Sequence, residues 1–185
     1  IALQLIGRID EYQRVKPWAQ LHMFDRKQVV ALEDLFKSES LGVGVFIEQQ
    51  YLDFMAANKG ALAEINWRKF EALTAEFFDR EGYEVALGPG RGDGGIDVRV
   101  FDANDKSRAL ILIQCKRYKA TVPMIEVKSL YSDMQWEGVE RGMIVTTSRL
   151  APSARKTISV RGYDIEEADQ ATVERWLESL RTPRT

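Results

Sequence analysis

Three residues in the middle of the chain have the types and the spacing of a phosphodiester-cleaving site. Asp97 follows a glycine-rich segment, and Gln114 and Lys116 lie two positions apart in a strongly β-prone stretch. Because alternate residues of a strand point to the same side, Gln114 and Lys116 are expected on one face of a sheet. Mg²⁺ accepts carboxylate and amide oxygens as ligands. A neighbouring amine can position the attacking water and offset charge in the transition state. The set predicts a metal-dependent hydrolase site.

Glu71 is the fourth candidate, on a predicted helix over residues 67–81 that begins after Asn66, a good N-cap, and ends at Gly82. One broad apolar face of this helix is formed by Trp67, Phe70, Leu73, Phe77 and Phe78. Glu71 falls within that face, where an acid costs free energy unless a cation meets it. Two interpretations remain open. Glu71 either pairs with an arginine at the rim or points into a metal site between helix and sheet.

These residues can be combined into a ligand set for Mg²⁺. Asp97 supplies a carboxylate, Gln114 an amide oxygen and Cys115 its backbone carbonyl, while Glu71 holds a ligand water. The Cys115 side chain falls on the opposite face of the strand from Gln114 and Lys116, so it is interpreted as a small core residue. The alternative for Asp97 and Lys116 is an ordinary ion pair between neighbouring strands.

The glycine-rich segment, residues 88–95, contains the pattern G-x-G-x-x-G. A dinucleotide-binding loop requires a helix after this pattern, but here a strand pattern follows, so that function is rejected. Glycines allow close approach of the backbone to a bulky anion, with N–H groups facing phosphate. The alternative for Gly94 and Gly95 is a bulge or a tight turn.

The remaining pattern predicts an α/β fold. Strands are expected at residues 83–87, 96–101, 109–116, 142–147 and 163–165, and further helices at 121–136, 152–160 and 172–181. The continuous apolar run at 142–147 is typical of a buried parallel strand. This order indicates a mixed central sheet sandwiched between helices.

Residues 66–180 resemble the Mrr-type catalytic domain of the PD-(D/E)xK nuclease superfamily. The matching motifs are Trp67-x-x-Phe70-Glu71, Gly82-Tyr83, Gly92-Asp93-Gly94-Gly95-Ile96-Asp97, Gln114-Cys115-Lys116-x-Tyr118 and the run from Gly142 to Ser148 with Ala151 and Ala154. The resemblance implies a restriction-endonuclease-like α/β/α core and divalent-metal-dependent DNA cleavage. It assigns the metal-binding acid to Asp97, the second acidic position to Gln114, the lysine to Lys116 and the helix glutamate to Glu71. Glutamine at position 114 is the variant that this subfamily carries, and it removes one negative charge.

Several further residues are candidates for contact with DNA. They are Arg91 and Gly94 in the glycine loop, Arg117, Tyr118 and Lys119 after the central strand, and Lys128 and Arg149 farther along. The hydroxyls of Thr146, Thr147 and Ser148 either bind phosphate or cap the structure that follows, and the sequence does not separate these two roles.

Bulk composition agrees with a globular domain and adds little about function. The chain of 185 residues is 45% hydrophobic and 29% charged, with a net charge of -2. Positive charge for DNA must therefore be gathered locally. One cysteine excludes an internal disulfide and a cysteine-rich zinc site. No apolar run approaches the length of a membrane span, so no membrane contact is expected within this chain, and a cytoplasmic location fits.

The first residue, Ile1, suggests a piece of a longer protein, and residues 1–65 are expected to form a helical accessory or linker segment before a nuclease domain at 66–185. The expected activity is endonucleolytic hydrolysis of DNA with Mg²⁺, for which Mn²⁺ can substitute, in restriction of foreign or methylated DNA. A homo-oligomer is expected because cutting both strands generally needs two active sites. The alternatives are a non-cleaving nucleic-acid-binding module of the same fold and a nuclease specific for branched DNA.

Overall fold

A mixed five-stranded sheet forms the centre of the fold in the computed structural model, which describes residues 46–90 and 95–182. In spatial order the strands are β1 (Glu84–Leu87), β2 (Val98–Phe101), β3 (Ile111–Lys116), β4 (Arg141–Thr146) and β5 (Ile165–Ala168). The pairs β1–β2 and β2–β3 are antiparallel, whereas β3–β4 and β4–β5 are parallel. The predicted α/β sandwich with a mixed sheet is confirmed, including the parallel setting of β4.

Helices cover both faces of the sheet. They are α1 (Gln49–Ala57), a 3₁₀ helix (Lys59–Glu64), α2 (Trp67–Arg80), α3 (Met124–Glu137), α4 (Pro152–Arg161) and α5 (Gln170–Ser179). Helix α2 contacts β1 to β3, and α5 contacts β4 and β5. These two helices lie on one face, where the rings of Phe77 and Trp176 stack with their centroids 4.2 Å apart. Helices α3 and α4 contact each other, and α3 packs on β3 and β4 from the opposite face.

Helix α2 begins and ends where the sequence predicts. The Asn66 side chain accepts hydrogen bonds from the backbone N–H groups of Arg68 and Lys69, which caps the first turn. Phe70 and Leu73 are buried against the sheet, while Trp67, at the start of the helix, remains 41% exposed. Glu71 and Thr74 are also buried. The apolar face therefore includes these two polar residues, as expected from the helical spacing.

Helix α3 packs closely on the sheet at Gly142 of β4. A Cβ atom at this glycine would lie 2.6 Å from the sulfur of Met134 and 3.1 Å from Leu130. A side chain at position 142 would therefore require the Met134 and Leu130 side chains of α3 to shift. The glycine lets these side chains pack directly on β4, next to β3, the strand that carries Gln114 and Lys116.

The last strand differs from its prediction. Tyr163 was expected to begin it, but β5 runs over Ile165–Ala168. The backbone N–H of Tyr163 donates instead to the carbonyl of Ile158, in the turn that ends α4, and its ring stacks on Tyr131 at 3.7 Å between centroids. Helix-terminal hydrogen bonding therefore delays the strand.

Helix α1 lies in the same compact unit as the sheet, Ser38–Thr185. It contacts α5, and the Gln49 side chain joins the two ends of the described region by donating to the carbonyl of Leu180 at 2.9 Å. Arg80 of α2 donates to both Gln49 and Leu180. The predicted boundary between residues 1–65 and 66–185 remains a prediction, and residues 1–45 of the expected helical segment lie outside the described residues. Within the described part of the chain, no helix has the length and apolarity to cross a membrane.

Candidate active site

The strand directions bring three chain segments to one edge of the sheet. Because β2 is antiparallel to β3, the start of β2 lies beside the end of β3, where Val98 pairs with Ile113. Because β4 is parallel to β3, its end lies there too, with Thr146 opposite Lys116. Asp97, Gln114 and Lys116 therefore reach the same edge, which we call the site edge.

Asp97 immediately precedes β2 and is held on both sides. Its backbone N–H donates to the carbonyl of Ile113 at 3.0 Å, and its own carbonyl accepts from Gly88 N–H at 2.7 Å. Its carboxylate oxygen Oδ2 accepts a hydrogen bond of 2.7 Å from the backbone N–H of Cys115. The carboxylate is thereby anchored to β3 at the residue between Gln114 and Lys116.

Glu71 of α2 lies beside Asp97 in a nearly buried position, 4% exposed. Burial, the largest cause, raises the pKa of Glu71 to about 7; the charge of Asp97 and a hydrogen bond to it act in the same direction, and Arg68 opposes them. Arg68 Nη1 donates to Glu71 Oε2 at 2.7 Å. The expected pairing of Glu71 with an arginine is therefore observed, and Glu71 also lies against the carboxylate of Asp97. Its role at a metal site remains a prediction. Two acids this close indicate a place suited to a cation.

The two chemical groups of Cys115 have different surroundings. Its sulfur lies 3.5 Å from the Thr74 hydroxyl on the α2 side, and burial raises the pKa of the thiol well above its ordinary value. The thiol is therefore neutral and not a nucleophile. The backbone N–H of Cys115 donates to Asp97. Since the N–H and C=O of one strand residue point to the same side, the Cys115 carbonyl is directed toward the Asp97 side as well.

Gln114 is 1% exposed and faces α3. Its Nε2 donates to Asp133 Oδ2 on that helix at 3.4 Å. Its Oε1 is buried and has no hydrogen-bond partner among the described residues. A buried amide oxygen without a donor is costly. The Gln114 Oε1 is therefore suited to binding a metal cation.

Lys116 is held by Glu126, an acid of helix α3. Its Nζ forms an ion pair of 2.9 Å with Glu126 Oε2, while the Tyr118 hydroxyl donates to Glu126 Oε1 at 2.8 Å. Burial raises the pKa of Glu126, but the hydrogen bonds from Lys116 and Tyr118 outweigh it, and the net pKa is lower than usual. Glu126 therefore stays ionised and fixes the position of the lysine amine.

The donors at the site edge fit a hard divalent cation. Two carboxylates, Asp97 and Glu71, lie side by side, the Cys115 carbonyl is directed toward them, and Gln114 contributes a buried unpaired oxygen. All are oxygen donors, the type that Mg²⁺ and Mn²⁺ bind, with water completing the shell. Among the described residues, no group of three or more histidine, cysteine, aspartate and glutamate side chains could hold a metal ion. The fit therefore relies on the amide and the backbone oxygen as well as the acids.

The hydroxyls at the end of β4 act as structural donors. Thr146 donates to the carbonyl of Lys116 at 2.7 Å, Thr147 to that of Tyr118 at 3.3 Å, and Ser148 to that of Ala120 at 2.5 Å. Each hydroxyl donates to one carbonyl in the stretch from Lys116, the last residue of β3, to Ala120. This row fixes the backbone immediately after Lys116, a function closer to capping than to phosphate binding.

The candidate DNA contacts are dispersed around the same edge. Arg117 is exposed and donates to the carbonyl of Ile65, Lys119 pairs with Glu64 at 3.1 Å, and Lys128 is half-buried. Lys119 and Arg149 line one open cleft. Tyr118 is partly buried against Glu126. Arg91 and Gly94 lie outside the described residues.

The sequence interpretation missed three residues of the site: Arg68, Glu126 and Asp133. Arg68 is three positions before Glu71, a helical spacing that could have indicated it as the partner cation. Glu126 and Asp133 lie two turns apart on α3. Their spacing on one helical face was visible, but the strand that they meet depends on how the helix crosses the sheet.

The profile of the Mrr_cat family, described as "Restriction endonuclease", matches residues 62–177. That span is more than half of the chain and contains Glu71, Asp97, Gln114 and Lys116. The chain belongs to the Mrr_cat family. Family membership places the chain among the restriction endonucleases.

Individual relatives are distant and larger. The chain is similar to the "Type IV methyl-directed restriction enzyme EcoKMrr" of Escherichia coli (strain K12), with 28% identity over 99 residues, which are 51% of this chain and 32% of that protein. Among solved structures it is similar to the MspJI restriction endonuclease in complex with a 27-mer oligonucleotide, with a TM-score of 0.42, 21% identity, and 76% of this chain and 33% of that chain covered. The chain thus spans about a third of the length of each.

Proposed function

We propose that this chain is the catalytic domain of a divalent-metal-dependent endodeoxyribonuclease. The observation that carries the proposal is the oxygen cluster at the site edge. Asp97 is anchored to the Cys115 N–H, Glu71 lies against it, and the Gln114 Oε1 is buried without a hydrogen donor among the described residues. Lys116 follows two residues later on the same strand. This combination favours phosphodiester hydrolysis over the non-cleaving alternative, which would not need it.

Asp97, Gln114 and the Cys115 carbonyl would hold the cation directly, and Glu71 would hold a water bound to it. When bound, the metal ion supplies Lewis-acid stabilisation of the phosphate and lowers the pKa of a water molecule. Lys116 places its amine at the phosphate and offsets the negative charge that develops in the transition state. Glu126 and Tyr118 keep that amine in position. Asp97 is oriented in turn by the backbone of β3.

For the substrate we propose double-stranded DNA, with methylated DNA as the first form to test, because EcoKMrr is described as methyl-directed. Arg117, Lys119 and Arg149 are proposed to meet the phosphate backbone, since all three side chains are exposed near the site edge. Contacts of this kind give affinity that falls with salt and carries no sequence information. A homo-oligomer is proposed for cutting both strands.

The test is a cleavage assay with Mg²⁺ or Mn²⁺ on unmodified, methylated and branched DNA. Wild-type protein should cut at least one of these, and EDTA should abolish cutting. Asp97→Asn and Lys116→Ala should each lower the cleavage rate by about 100-fold or more, while DNA binding measured in Ca²⁺ persists for Lys116→Ala. Matched controls are Asp105→Asn and Lys106→Ala, exposed residues in the turn between β2 and β3 at the other edge, which should cut like wild type.

A preparation that binds DNA but leaves every substrate intact with both metals would overturn the proposal in favour of a non-cleaving module. Cutting confined to branched DNA would retain the chemistry and replace the substrate. Equal activity of wild type and Asp97→Asn would refute the assignment of the site.

A further inference from the structure

Helix α3 carries three acids that contact polar or charged residues of the sheet. Glu126 pairs with Lys116 at 2.9 Å, Asp133 accepts from Gln114, and Glu137 pairs with Arg99 at 2.6 Å. Two of these contacts compensate a cation. The contact of Asp133 is different, because its partner is the neutral, buried amide of Gln114.

The chemistry of that contact determines which terminal atom of the Gln114 amide, nitrogen or oxygen, faces Asp133. A carboxylate can only accept hydrogen bonds, whereas an amide has a donating NH₂ and an accepting oxygen. The NH₂ of Gln114 must therefore face Asp133, and Oε1 must face away from it. Gly95 closes the NH₂ side further, since a Cβ atom there would lie 3.2 Å from Gln114 Nε2. The amide is held in one of its two orientations.

We propose that Asp133 is a positioning residue that presents Gln114 Oε1 as a metal ligand and makes glutamine, rather than glutamate, the compatible residue at position 114. The proposal rests on the proposed function, in which Gln114 binds the cation. Asp133 does not touch the cation or the DNA in this scheme. It acts through the orientation of one amide.

The same contact explains why an acid is disfavoured at this position. A glutamate side chain here would place its carboxylate against that of Asp133, at a position where Gln114 is 1% exposed and Asp133 is half-buried, so water screens the repulsion only in part. A glutamine is free of this repulsion but needs orienting, because only one of its two terminal atoms can bind a cation. A glutamate needs no orienting, because both terminal atoms are oxygens. The two positions are therefore expected to covary as Gln with Asp, or Glu with Asn.

A double-mutant cycle tests the pairing in the metal-free protein. We compare wild type, Gln114→Glu, Asp133→Asn and the double variant by thermal unfolding in EDTA at pH 8. Gln114→Glu alone should lower the melting temperature by about 3 °C or more. Adding Asp133→Asn should restore it, because the asparagine NH₂ donates to the new carboxylate. Asp164→Asn is the matched control, an exposed aspartate far from the site edge, and it should leave the melting temperature unchanged.

Calcium binding by calorimetry separates orientation from simple structural support. In the wild-type background, where Gln114 is present, Asp133→Asn should weaken Ca²⁺ binding by about tenfold, the usual lower range for the loss of a residue that orients a ligand. In the Gln114→Glu background, the same substitution should not weaken it. Equal weakening in both backgrounds, or additive changes in melting temperature, would overturn the proposal.

The outcomes also distinguish this inference from the proposed function. The four melting temperatures could be non-additive while the wild-type protein neither binds Ca²⁺ nor cuts DNA with Mg²⁺. That result would overturn the metal site and with it the ligand role of Gln114. Additive thermal effects in a protein that does cut DNA would overturn the role of Asp133 alone.

Discussion

Replacing Glu71 by glutamine should change how the stability of the metal-free protein depends on pH. Burial, with a contribution from Asp97, raises the pKa of Glu71 from 4.5 to about 7 in the folded protein. In the unfolded chain the group titrates near its ordinary value. Between these two pH values the unfolded state therefore holds fewer protons at this site than the folded state. The contribution of Glu71 to the free energy of unfolding is therefore fully present below about pH 4.5, and it is lost as the pH rises to about 7.

The size of the effect follows from the pKa difference. Each unit of difference corresponds to about 1.4 kcal/mol, so the free energy of unfolding should fall by about 3 kcal/mol across this range. Little is lost to screening, because the Glu71 side chain is 5% exposed. Glutamine removes the penalty, and the pKa of about 7 already includes the opposing effect of the ion pair with Arg68. At pH 8 without metal, Glu71→Gln should therefore be more stable than wild type by about 3 kcal/mol.

Urea unfolding in EDTA at intervals from pH 4.5 to 8 measures both quantities. Glu64→Gln, an exposed glutamate just before α2, is the control and should follow the wild-type curve. Adding Ca²⁺ at pH 8 should stabilise wild type more than Glu71→Gln, because the ionised carboxyl then has a cation to face. Parallel pH curves for wild type and Glu71→Gln would refute the reasoning.

Two further substitutions probe the backbone around the site. Gly95→Ala places a side chain at a φ of +95° and against Gln114. It should lower the free energy of unfolding in urea by about 1–3 kcal/mol and weaken Ca²⁺ binding. Unchanged Ca²⁺ binding would contradict the close approach of residue 95 to Gln114. Thr146→Val removes the hydroxyl that donates to the Lys116 carbonyl and accepts from the Ser148 N–H, while the carbonyl keeps the Thr147 N–H as a donor at 3.3 Å. The substitution should cost about 1–3 kcal/mol together with a lower cleavage rate. Thr157→Val, which removes a comparable hydroxyl bond within α4, should lose stability but not activity; equal cleavage by the two threonine variants would argue against a special role for Thr146.

Local periodicity was sufficient to predict most of the fold. The spacing of Phe70 and Leu73 predicted α2 with its buried Glu71, and the apolar run at 142–147 predicted a parallel strand. Both features depend on residues close together in sequence. The start of β5 was misplaced because the hydrogen bond from Tyr163 to Ile158 extends the end of α4, which the alternation of side chains does not reveal.

The placement of the candidate site residues at one edge of the sheet could be predicted from the sequence, but the residues that contact them could not. The expected positions of Gln114 and Lys116 on one strand face agree with the structure, where both meet α3. The identity of their partners, Asp133 and Glu126, depends on the angle and height at which α3 crosses the sheet. The packing of α3 includes Met134 and Leu130 against Gly142 of β4, a detail with no signature in the sequence around Gln114.

The antiparallel-to-parallel change at β3 brings Asp97, Gln114 and Lys116 to one edge of the sheet and places a set of turns at the opposite edge. The connections there are short and largely exposed, and they include residues 102–107, the turn at Gly138 and the turn at Gly162. A peptide tag, a fluorophore or an inserted domain at residues 102–107 would be separated from Lys116 by the whole length of β3. This turn is therefore the place to attach a reporter for following DNA binding, and the place where the fold could acquire an additional module without altering its chemistry.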